Sequence, residues 1–174
     1  MNEIELLRDQ LATERRHVRE VANACAAAHA GAPPGPGEAA LEPLRAACGQ
    51  YLQCVLDWFD RRDERLGGLY ARQPAADAGR TTLAALGPEH PGREALEQLT
   101  AGDAARGRWQ ALARFINGPW DARRGAIEAL LAANPRVADW RAFGAIDADS
   151  VCQERALYAR VLAALPSGIA LGPA

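Results

Sequence analysis

Apolar residues recur along the first thirty positions at intervals that fit one face of a helix: Ile4, Leu7, Leu11, Val18, Val21, Cys25 and Ala28. Side chains three and four apart project from the same side, so the spacing predicts an amphipathic helix over residues 2 to 30 whose seam packs on its neighbours. Glu14 is the one charged residue on that seam. The pattern stops at Gly31-Ala32-Pro33-Pro34-Gly35-Pro36-Gly37, where proline cannot donate the helical hydrogen bond and glycine loosens the backbone.

A second stripe runs through Leu41, Leu44, Cys48, Leu52, Val55, Phe59, Leu66 and Leu69, with Arg62 filling the gap in it, and Gln73-Pro74 ends it. Residues 74 to 88 read as a loop. Pro91 suits a first helical turn, so a third helix is expected to open near His90. A fourth carries Trp109, Leu112, Phe115 and Ile116, is kinked or broken at Gly118-Pro119, and resumes from Ala122 to Ala133 before Asn134-Pro135. The last helix is capped near Asp147 or Asp149 and carries Val151, Leu157, Val161 and Leu165. Nothing alternates like a strand for more than a few residues.

Two of these helices carry similar sequences about 61 residues apart. Trp58-Phe59-Asp60-Arg61-Arg62 is echoed by Trp120-Asp121-Ala122-Arg123-Arg124, and at offset 61 Asp60 falls on Asp121, Arg62 on Arg123 and Leu69 on Leu130. The repeat and the seams predict an all-α, up-and-down four-helix bundle with an additional C-terminal helix. Residues 1 to 165 would form a single domain and 166 to 174 a tail. A chain of 174 residues suits this, because a domain of that length buries roughly 70% of its unfolded surface.

Charge narrows the range of functions. Lys is absent, so Arg supplies all 20 basic residues against 22 acidic ones, and the net charge is −2. No basic stripe calls for nucleic acid. Without lysine there is neither a P-loop nor lysine Schiff-base chemistry. The acidic start, Met1-Asn2-Glu3-Ile4-Glu5, is no signal peptide, and no uncharged run reaches the ~20 residues of a membrane span, so a soluble cytoplasmic protein is expected. The four cysteines, Cys25, Cys48, Cys54 and Cys152, contain no CxxC pair and read as reduced core residues. There is no GxSxG, HExxH or glycine-rich phosphate loop, and an enzyme is the minority reading.

The phrase LDWFDRRDERLGGLY, from Leu56 to Tyr70, resembles the second helix of hemerythrin-like domains in their bacterial HHE cation-binding form. In that resemblance Asp60 stands where the family has His and Glu64 where it has Glu. His17 in ERRHVRE resembles the first-helix ligand, His90 in PEHPGREAL the third-helix ligand, and Glu128 in RRGAIEALL the fourth-helix carboxylate. Arg124 occupies the remaining fourth-helix position, with Asp121 one turn earlier as a reserve ligand. The resemblance covers roughly residues 1 to 133. It implies a non-haem metal site for oxygen or nitric-oxide sensing or for iron handling. Independently, Asp60 and Glu64 are four apart on one helix face, and a mixed carboxylate and imidazole set suits iron, manganese or zinc.

A second reading stands beside this one. Arg61, Arg62, Arg65, Arg123 and Arg124 crowd the same carboxylates and would repel a divalent ion. Glu14 would then pair with an inward arginine such as Arg62, and His17 would bond a carboxylate or carbonyl at the core edge. Asp60 and Glu64 would form a solvated face, Glu128 would pair with Arg124, and His90 and His29 would be exposed. The protein would be a metal-free interaction bundle, either a homodimer through an exposed helix face or a binder of a small anion in an arginine-lined pocket. Arginine orientation discriminates the two. Metal binding needs Arg61, Arg62, Arg123 and Arg124 turned away from the site, and anion binding needs at least two turned inward.

Overall fold

The structure, a computed structural model, describes residues 3–31, 39–71, 106–133 and 148–169. Among these residues every regular element is helical: α1 (Glu3–Gly31), α2 (Glu42–Ala71), α3 (Arg106–Phe115), a π-helical turn (Ile116–Trp120), α4 (Asp121–Ala133) and α5 (Ala148–Ala164). None of these helices is long and apolar enough to cross a membrane.

The helix-one seam is buried as its spacing predicts, with Leu11, Val18, Val21, Cys25 and Ala28 inside and Ile4 and Leu7 packed at the edge. Leu44, Cys48, Leu52, Val55, Phe59 and Leu66 of α2 meet it. Trp109, Leu112, Ile116, Trp120, Ile127 and Leu131 enter from the rod that α3, the π turn and α4 make together, while Phe115 is only partly buried. α2 opens with Glu42 in its first turn, where negative charge meets the positive end of the helix dipole, and with Pro43 where a missing N–H costs nothing.

Pro119 does not break the rod. Phe115 and Asp121, on either side of the turn, both keep α-helical dihedrals, and the Asp121 N–H reaches the carbonyls of Ile116 and Gly118. Proline removes one helical donor and crowds the carbonyl four residues back, and widening by one residue relieves both problems while the chain stays helical.

Side-chain pairs give the relative directions of the helices. Glu14 meets Arg62 and the Val21 carbonyl meets Cys48, so α1 and α2 run antiparallel. Arg15 meets Asp121 and His29 meets Trp109, so the α3–α4 rod also opposes α1. Phe59 meets Trp120 and Asp63 meets Arg124, both at the offset of 61, so the two echoing segments lie side by side, parallel and in register.

α5 packs on α2 and on α1, sending Leu157 and Val161 into the core. Beyond it, Pro166 to Ile169 fold back through a turn in which Gly168 takes φ +92°, a region that side-chain-bearing residues seldom occupy. Ile169 thereby rests against the core. The expected third helix and the loop before it lie outside the described residues.

Candidate functional site

Polar side chains occupy the interior at three levels. At the first, Glu14, with no solvent exposure, accepts 2.6 Å and 3.5 Å hydrogen bonds from the buried Arg62 and a 3.1 Å bond from Gln10. Arg62 sits on the α2 stripe that otherwise reads as apolar, so its guanidinium is carried inward and needs a counter-charge. Asp63 is gripped by both terminal nitrogens of the buried Arg124, one at 2.8 Å, and by Arg123 Nε at 3.0 Å. The guanidiniums of Arg62 and Arg124 each lie 5.1 Å from the centroid of Phe59, against which Trp120 stands edge-on at 5.2 Å. The quadrupole of an aromatic face attracts such cations, so the rings hold the arginines as well as fill space.

At the flank of this level Arg15 joins α1 to α4, with Nε 2.7 Å from Asp121 and Nη1 3.0 Å from Glu128. The hydrogen bond from Arg15 holds the Asp121 carboxyl below its usual range, and the same contact raises Arg15.

At the second level Glu154 of α5, 1% exposed, accepts 2.8 Å bonds from His17 Nδ1 and from the Tyr51 hydroxyl. Tyr158 stacks on the His17 ring at 3.8 Å and donates its hydroxyl to Glu20. Burial, then the negative charge of Glu154, pushes the Tyr51 phenol up. Burial, then the bond to Glu20, raises Tyr158. At the third level Cys25, Cys48, His29 and Trp109 are buried together. The His29 Nδ1–H donates to the Cys25 carbonyl at 2.8 Å, and its ring stacks on Trp109.

Five of the six sequence-derived ligands fall within the described residues. His17 is committed to Glu154, Asp121 and Glu128 share Arg15, Asp60 is half-buried on α2, Glu64 is exposed, and His90 lies outside the described residues. Among the described residues no three His, Cys, Asp or Glu side chains come together in a way that would hold a metal ion. Two of the four arginines, Arg62 and Arg124, turn inward, Arg123 is half-buried and Arg61 is exposed.

Several expectations are corrected. Glu128 pairs with Arg15 rather than with Arg124, and His29 is buried instead of exposed. Cys152 is exposed and Cys54 only partly buried, so the core thiols are Cys25 and Cys48. Asp63, Tyr51 and Glu154 hold places in this interior that the ligand pattern does not assign, although each leaves a trace. Tyr51 sits three after Cys48 and four before Val55, Glu154 lies midway between Val151 and Leu157, and Asp63 is 61 before Arg124. No family model, no curated protein and no solved structure matches the chain.

Proposed function

We propose that this chain is a metal-free helical interaction module, an up-and-down four-helix bundle with the C-terminal helix added against the first two. One observation carries this reading: the interior around Phe59 is occupied by Arg62 with Glu14 and Arg124 with Asp63. A cation there would face two guanidiniums at close range, whose repulsion is strong in a partly dry site. An added anion would have to displace Glu14 or Asp63, each already bonded more than once. The surface is then what the fold offers to a partner, and Leu6 on α1 and Leu162 on α5 are exposed there. A homodimer is the simplest such assembly.

The hemerythrin-like reading keeps one observation in its favour. A metal-ligating histidine commonly donates its other ring nitrogen to a carboxylate, and Glu154 holds His17 Nδ1 in that way, so Nε2 would be the ligating atom. Asp60, Glu64, His90, Asp121 or Glu128 would have to complete the set around iron, manganese or zinc.

Elemental analysis of protein purified from metal-replete cells, combined with light scattering over a concentration series, separates the two. The interaction module should carry well under one equivalent of transition metal and show a concentration-dependent mass. A stoichiometric metal lost on His17→Ala would replace this reading with the metal one.

A further inference from the structure

Cys25 on α1 and Cys48 on α2 are the two thiols that packing closes off completely. The Cys48 sulfur lies 4.0 Å from the Val21 carbonyl oxygen. In an α-helix that carbonyl is the acceptor of the Cys25 N–H, so a sulfur placed there stands beside the Cys25 backbone. Val21 and Cys25 share the buried seam of α1, and the Cys25 thiol interacts with the Cys48 side chain. The Cys25 sulfur is 3.7 Å from His29 Nδ1, but that nitrogen carries a proton donated to the Cys25 carbonyl. His29 is thus no base for the thiol, and the pair is not a Cys–His nucleophile.

We propose that Cys25 and Cys48 are a latent dithiol that a peroxide closes to a disulfide between α1 and α2. One sulfur attacks the peroxide, breaking the O–O bond, and becomes a sulfenic acid as water leaves. The second sulfur attacks that sulfenic sulfur, forms the S–S bond and releases another water. Both thiol protons leave in those waters. The two sulfurs together lose two electrons, and the peroxide gains them.

In the closed molecule burial and the neighbouring Cys48 thiol push the Cys25 thiol well up, so the thiolate is scarce and reaction waits on a local parting of the helices. The bond would fasten α1 to α2 near the end of the pair remote from the Glu14–Arg62 contact.

The test treats full-length native protein with hydrogen peroxide, alkylates the remaining thiols and maps tryptic peptides. The expected result is a species in which the peptide holding Cys25 is joined to the one holding Cys48 with loss of two hydrogens. It should persist in Cys54→Ser/Cys152→Ser and vanish in Cys25→Ser, and the cross-linked protein should melt roughly 5–10 °C higher. Because Cys25→Ser can fail to fold, the Cys54→Ser/Cys152→Ser protein decides the matter alone. If it yields Cys25 and Cys48 fully alkylatable after unfolding, or joined only when peroxide is added to unfolded protein, the proposal is overturned.

Discussion

Asp63 and Arg124 stand 61 positions apart, the interval at which the sequence echoes itself, and meet through both carboxylate oxygens. Phe59 and Trp120 repeat the relationship one turn earlier. The repeat is therefore also a contact register between two parallel helices. Asp63→Asn removes the counter-charge from a buried guanidinium, and urea unfolding should show a loss of about 3–5 kcal/mol. A loss under about 1 kcal/mol would mean that Arg124 finds water in solution.

The Glu14–Arg62 pair gives a sharper expectation. Arg62→Met alone strands a carboxylate with no exposure and should cost about 3–5 kcal/mol, whereas Arg62→Met with Glu14→Leu should return close to the parent or above it. A double-mutant cycle by chemical denaturation measures the coupling, and additive single effects would show that the pair does not interact.

Phe59→Ala should cost on the order of 3–5 kcal/mol through lost transfer energy and the cavity left behind. Two cations also rest on this ring, so the variant should loosen Arg62 and Arg124. Side-chain guanidinium NMR signals report that directly, and sharp, unshifted signals in the variant would count against it.

Stability should fall at both ends of the pH scale. Asp121 has a depressed folded-state pKa, so the stability from its bond to Arg15 is present above the unfolded value of about 3.9 and disappears as pH drops through the folded value. Arg15→Met should flatten this acid limb. Tyr51 and Tyr158 have raised folded-state pKa values, so the unfolded chain releases their protons first and stability declines above about pH 10. Melting curves of Tyr51→Phe across that range should show a shallower decline, and a slope equal to the parent's would remove Tyr51 from the account.

Glu154→Ala leaves the Tyr51 hydroxyl and the His17 ring without their shared acceptor, at a cost of roughly 1–3 kcal/mol for each donor that stays buried and unpaired. Hydrogen exchange should place the loss in α5 and the adjoining part of α1. Uniform loss across the molecule would indicate global rather than local weakening.

The apolar seams were legible because their period is set by helix geometry, and a charge on a seam has few options once it is inside. Glu14 and Arg62 could be paired from the sequence alone for that reason. Arg124 shows where local reasoning fails. Pairing with Glu128 four residues on is worth only about 0.3–0.5 kcal/mol at an exposed site, whereas an inward guanidinium without a carboxylate costs several. Avoiding that cost decides the pairing, and Arg124 takes Asp63 while Glu128 is left to Arg15.

The contacts of α5 were less accessible. Glu154 is polar on a polar-looking helix, and only its burial against Tyr51 and His17 gives it a role. His29 stands next to a proline-rich linker, which hides that it lies four residues after Cys25 on the packed face. For His17, Asp121 and Glu128 the sequence could supply residue types but not the partners that claim them.

The widened turn at Ile116–Trp120 acts as a phase converter. Each residue of an α-helix advances about 100°, so one extra residue absorbed in a single turn reorients every side chain downstream. Upstream of it Trp109 meets His29 of α1, and downstream of it Arg123 and Arg124 reach Asp63 of α2. Asp121 and Glu128 of that same half stay on Arg15 of α1, so the part of the rod after the turn addresses both helices at once. A deletion that made this rod a regular helix would shorten it by a single residue and misdirect the half that follows, so length changes here should be far less forgiving than substitutions at exposed Gly118 or Asn117.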